Sequence, residues 1–182
     1  MFKYMKSLLM GLVVISIMVG CGGAKNSAPA KNVVKGQTLH ISSKAKYEGD
    51  IAENILKECT IDTQVMKYIK AYSAKQGFNV VVDGKPKANE NVLKVSITDA
   101  VSSRSGYRGH NKYVTISGKL YKGNKLEASF KGARKSGGGM FGAYKGSCAV
   151  LNGCTKTIGR DTARWLSDPK NNAKLGDAYL IK

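Results

Sequence analysis

Gly137, Gly139 and Gly142, in "RKSGGGMFGAYKGSC" (134–148), have the G-x-G-x-x-G spacing that can cradle a pyrophosphate on backbone N–H groups. That chemistry needs a strand running directly into a helix within a βαβ unit. Here the helical periodicity resumes only at Cys148, no parallel strand clearly follows, and Asp161, at roughly the ribose-binding distance, falls inside that helix. The dinucleotide reading is therefore rejected. The second spacing, Gly138, Gly142 and Gly146, could seat a helix closely against a neighbour. Glycine costs about 1 kcal/mol per helical position relative to alanine, so a supple strand-to-helix joint is the better account. Within that joint Met140, Phe141 and Tyr144, flanked by Arg134, Lys135 and Lys145, form a candidate contact for a partner or a membrane.

No other constellation suggests catalysis. The chain contains no G-x-S-x-G, H-E-x-x-H, Walker A or C-x-x-C pattern, and its 12 carboxylates are scattered. His40 and His110 are isolated and read as surface or loop residues, and no cofactor or metal is expected. Cys59, Cys148 and Cys154 match no metal clip and suit one disulfide. A continuous helix would separate Cys148 from Cys154 by about 9 Å of rise, beyond disulfide reach. Cys59–Cys148 is then the favoured bridge, with Cys154 off the buried seam; a Cys148–Cys154 bridge would require a turn at Asn152-Gly153.

Charge points to the partner. Lys and Arg number 30 against 12 Asp and Glu, a formal net charge of +18. Between Arg104 and Lys145 there are ten basic residues and one acid, Glu127. So one-sided a segment favours anionic ligands. Arg104, Arg108, Lys112, Lys119 and Lys131 are the candidate contacts for an anionic lipid, glycan or protein of the cell envelope. Nucleic acid is excluded by the export signal described next.

The chain opens with Lys3 and Lys6, then an uncharged run from Leu8 to Val19. Its 12 residues are short for a bilayer span of about 20 but fit a secretory h-region. Met18-Val19-Gly20-Cys21 follows and resembles the lipobox of bacterial lipoproteins, with Met18 in place of the usual leucine. That resemblance implies a signal peptide over 1–20 and acylation of Cys21, with palmitate among the chains. It also implies a membrane anchor, and a non-aspartate Gly22 implies outer-membrane placement facing the periplasm. Residues 21–36 read as the lipidated terminus and a small, polar, basic tether. Residues 37–182 read as a single α+β domain.

The positioning elements follow from periodicity. "QTLHISS" (37–43) alternates as a strand. Asp62 is a candidate N-cap for an amphipathic helix carrying Val65, Met66, Ile69 and Tyr72 and ending at Gly77. Strands are expected at 78–83 and 91–99, then a loop at 100–112. A hairpin at 113–134 turns at Gly123-Asn124, with Leu126, Ala128, Phe130 and Gly132 on one face and Tyr113, Lys119, Tyr121, Glu127 and Lys131 on the other. A second helix carries Cys148, Leu151, Thr155, Ile158, Thr162 and Trp165, and a short strand closes the chain at 178–181. The order β-α-β-β-β-β-α predicts a mainly antiparallel sheet with two helices packed on one face.

This order, the lipobox and "GRDTARWL" (159–166) together resemble a broad group of small envelope lipoproteins. The group includes poorly characterised outer-membrane lipoproteins, activators of peptidoglycan synthases and auxiliary lipoproteins of lipid-transport systems. The resemblance implies a non-enzymatic envelope role, as a binding or regulatory module or as a lipid-transport auxiliary. It transfers no functional residue beyond Cys21.

Overall fold

In this computed structural model the described residues are 36–49, 51–105, 109–136 and 146–180. The elements are β1 (Thr38–Ile41), β2 (Lys46–Tyr47), α1 (Glu53–Glu58), α2 (Ile61–Lys75), β3 (Asn79–Val82), β4 (Asn91–Ser105), β5 (Gly109–Lys122), β6 (Lys125–Ser136), α3 (Ser147–Leu166) and β7 (Ala173–Gly176). They form one sheet in the order β3-β1-β4-β5-β6-β7, with β2 continuing alongside β4.

The α+β class holds, but the sheet is mixed. Pairs β4/β5 and β5/β6 are antiparallel, whereas β1/β3, β1/β4, β2/β4 and β6/β7 are parallel. The reason is the placement of the helices. Parallel neighbours need a crossover long enough to carry the chain back, which α2 supplies between β1 and β3 and α3 between β6 and β7. Strand β2 and helix α1 add to the expected order, and the last strand lies at Ala173–Gly176 rather than at 178–181. Within the expected loop at 100–112, residues 100–105 and 109–112 are instead strand, paired out to Ser105↔Gly109. Its Ser, Gly and Arg residues read as loop-forming, yet ladder bonds come from backbone groups and tolerate them.

Alternation places Leu93, Val95 and Ile97 of β4 and Val114, Ile116 and Leu120 of β5 on the inner face, all buried. Phe130 of β6 lies over its cross-strand partner Gly118, where a Cβ would collide with the ring. Trp165 of α3 meets the Phe130 ring edge-on at 4.7 Å. Helix α2 begins at Ile61, so Asp62 sits in the first turn rather than at the cap. There its charge still complements the helix dipole. Gly77, at φ 96°, ends the helix. Its N–H bonds to the Ala74 carbonyl, and the Phe78 N–H bonds to that of Ser73, which is the Schellman arrangement.

Helices α2 and α3 lie side by side in the same direction. Cys59 and Cys148 join their starts through a disulfide with Cα atoms 5.1 Å apart. Further along, Gly159 sits where a Cβ would come within 2.6 Å of Tyr68 Cβ. The close helix contact is thus made by Gly159, whereas Gly138 and Gly142 lie outside the described residues and Gly146 precedes the helix. Asn152-Gly153 continues the helix, and Cys154, expected off the seam, is buried at 3% exposure. A helical face broader than one seam explains that burial, because α3 is covered by both α2 and the sheet.

Candidate functional site

The sheet face away from the helices is where the charge collects. Ser96 of β4 and Ser117 of β5 are directly opposed. Lys46 of β2 pairs with Ser96 on one side, and Lys131 of β6 pairs with Ser117 on the other. Lys131 is itself in register with Lys174 of β7. One step along the strands, Lys94 faces Lys119, and Lys119 faces Ser129. Lys46, Lys94, Lys119, Lys131 and Lys174 are all exposed, and none makes an ion pair among the described residues. Directly opposed like charges destabilise a sheet, so the Lys94–Lys119 pair carries a repulsion that no carboxylate among the described residues neutralises.

The surroundings of this cluster are settled internally. The Lys94 ammonium lies 4.9 Å from the centre of the Tyr121 ring. The Ser129 hydroxyl is fixed by Asn171 at 2.6 Å. Glu127 is ion-paired with Lys125 at 3.2 Å. Asp99 accepts the Tyr113 hydroxyl at 2.8 Å, and burial together with that carboxylate pushes the phenol pKa up. At the edge of the face His40 is buried, contrary to its reading as a surface residue. Its Nε2 donates to Glu90 at 2.8 Å, and Glu90 also accepts the Lys87 N–H at 2.8 Å. The Lys87 N–H first and His40 second hold the Glu90 carboxyl below its usual pKa.

A bulge shapes one end of the face. Leu120 pairs with Ala128 but Tyr121 pairs with Leu126, so Glu127 is the extra residue. One added residue inverts the alternation. Leu126, expected on the inner face with Ala128 and Phe130, therefore joins Tyr121 on the outer face and is 44% exposed.

The structure thus brings Lys119 and Lys131 together on one face. Lys112 is buried at 5% exposure, on the opposite parity of β5, and is not a surface contact. Arg104 lies in β4 opposite His110, and its side chain is outside the described set. Arg108, Met140, Phe141, Tyr144, Lys145 and Cys21 lie outside the described residues. Arg134 is a clamp: Nε and Nη2 donate to Asp161 of α3 at 2.8 and 2.6 Å, and Nη1 approaches Asp177 at 3.6 Å. Lys135 is exposed, with its N–H donated to Asp177.

Sequence reading missed Lys46, Lys94 and Lys174. Lys94 was legible, since it alternates with Leu93 and Val95. Lys46 and Lys174 join the cluster only through parallel pairings. A groove of about 440 Å³ between α3, β6 and β7 is lined by Arg134, Asp161, Arg164, Trp165 and Lys174 among others. Its lining mixes these charged groups with Trp165, Ala173 and Leu175, and Trp165 Nε1 donates there to the Lys170 carbonyl at 3.1 Å.

Protein XCC0632 from Xanthomonas campestris, of family DUF330, has a similar fold, with TM-score 0.54 and 12% identity over 77% of this chain and 88% of that one. A minor lipoprotein from Acinetobacter baumannii aligns with TM-score 0.47 and 9% identity over 72% and 92%. PelC from Paraburkholderia phytofirmans, a dodecamer, aligns with TM-score 0.44 and 12% identity over 74% and 90%. At these identities the likeness to the Xanthomonas protein establishes a shared fold. No family model matches the chain, and no curated protein sequence matches it. No described helix is long and apolar enough to cross a membrane.

Proposed function

We propose that this protein is a lipid-anchored, non-enzymatic module of the cell envelope that holds an anionic partner on the outer face of its sheet. The observation that carries the reading is the cluster of Lys46, Lys94, Lys119, Lys131 and Lys174 around Ser96 and Ser117, with no carboxylate paired to any of them among the described residues. Exposed and like-charged, with Lys94 opposite Lys119 and Lys131 opposite Lys174, these groups gain most when a partner brings the counter-charge. The lipobox at Met18 to Cys21 supplies the anchor, and Gly22 favours the outer membrane facing the periplasm. A lipid-transport auxiliary calls for an apolar chamber between helices and sheet. That space is filled by Leu39, Ile97, Ile116, Leu151 and Ile158, so the anionic-partner reading is the one with an observation behind it.

Two measurements test the proposal. Metabolic labelling with palmitate should mark the wild-type chain and not Cys21→Ser, which should also leave the membrane fraction. On a phosphocellulose matrix, the variant K46Q/K94Q/K119Q/K131Q should elute at much lower salt than the wild type. Equal elution of the two would remove the sheet face from the proposal.

A further inference from the structure

We infer that the outer sheet face lies flat on the anionic phospholipid surface in which the chain is anchored, with the five lysines on lipid phosphates and Leu126 and Tyr121 at headgroup level. This rests on the proposed function and names its partner. Three observations lead there.

The first is the shape of the charge. Lys46, Ser96, Ser117, Lys131 and Lys174 run across five adjacent strands, a width of roughly 19 Å at the usual strand spacing. Lys94 and Lys119 form a second row about 7 Å along the strands. A single polymer chain lying on the sheet follows one row, whereas a plane of phosphates meets both rows together.

The second is the bulge at Glu127. Without it Leu126 would complete the inner face beside Ala128. With it, an apolar side chain is turned out next to Tyr121 on the same face as the lysines. A tyrosine and a leucine beside cations suit the water–headgroup boundary.

The third is the tether. Described structure begins at Gly36, immediately before β1, and β1 starts at the end of the sheet where Asn91 pairs with Lys122. Tyr121 and Leu126 lie at that same end. The 15 residues from Cys21 to Gly36 can reach at most about 50 Å. The face centre at Ser96 is only about 17 Å along the strand from Asn91. Anchor and face can therefore engage one membrane, and the anchor keeps the effective lipid concentration high.

The test uses the full-length acylated protein reconstituted in phosphatidylcholine vesicles, with or without phosphatidylglycerol. Lysines are acylated with an amine-reactive reagent and quantified by mass spectrometry. Exposed Lys70 of α2 and Lys156 of α3, on the helical side, serve as references. With phosphatidylglycerol, labelling of Lys46, Lys94, Lys119, Lys131 and Lys174 should fall about threefold or more relative to the references. Near 1 M salt, where the Debye length is about 3 Å, it should return. Equal labelling in the two vesicle types overturns the inference. Protection that appears only on adding peptidoglycan sacculi also overturns it and gives the face to a glycan. If labelling is equal while K46Q/K94Q/K119Q/K131Q still elutes early from phosphocellulose, the lipid assignment falls and the anionic-partner reading stands.

Discussion

The bridge between Cys59 and Cys148 closes a loop with a sequence separation of 89 residues, spanning α2, the β4–β6 meander and the start of α3. Cutting so long a loop releases the unfolded chain more than it changes the folded one. The loop-closure relation for that separation gives about 4.6 kcal/mol at 25 °C, an upper figure for a bond whose typical worth is about 2–4 kcal/mol. Two perturbations isolate it: reductant on the wild type, and the double replacement C59A/C148A. Cys154 is buried at 3% exposure and stays in place in both. Urea unfolding followed by far-ultraviolet circular dichroism should show a loss of about 2–4 kcal/mol, with a steeper slope because the released chain exposes more surface. At about 3 °C per kcal/mol for a domain of this size, the melting temperature should fall by roughly 6–12 °C. A loss under about 1 kcal/mol in both perturbations would refute the argument, since entropy alone predicts more.

Two glycines in one helix should respond oppositely to the same substitution. Gly153→Ala faces open space and should stabilise by roughly 0.5–1 kcal/mol, while Gly159→Ala drives a methyl into Tyr68 Cβ at 2.6 Å and should destabilise by about 1–2 kcal/mol. Thermal denaturation of the pair decides it. Arg134→Ala leaves Asp161, 11% exposed, without its guanidinium and should cost about 1–2 kcal/mol in urea unfolding. Arg134 itself is 28% exposed, which keeps that figure low. The depressed Glu90 carboxyl contributes stability that is fully present above its unfolded pKa, near 4.5, and is lost as pH falls through the lower folded value. Glu90→Gln should therefore flatten the acid limb of the stability profile below that pH; an unchanged limb would show that Lys87 and His40 do not favour the ionised form.

Much of the inner face could be read directly. Leu93, Val95 and Ile97 alternate, as do Val114, Ile116 and Leu120, and all six are buried. Ile61, Val65, Met66 and Ile69 mark the buried side of α2, and Gly77 marks its end. The spacing of the cysteines singled out Cys59 and Cys148, because a continuous helix holds residues six apart too far from each other to bond. Such features are local: a period of two or of 3.6 residues states which side chains share a side.

Which segments become neighbours is not local. Lys46 and Lys174 are 128 positions apart in the chain and share a face only because two parallel pairings bring their strands into register with β4 and β6. Leu126 follows the inner-face pattern in sequence and lies outside it in space, because one bulged residue inverts the alternation. Arg134 reads as a surface cation and serves as a clamp, since Asp161 meets it only when α3 packs on β6. The sequence by itself determined the periods, the helix end at Gly77 and the excess of positive charge, and it favoured the Cys59–Cys148 bridge. Tertiary structure alone decided the lysine–serine face, because backbone hydrogen bonds between distant strands set its register, and side-chain periodicity carries no record of them.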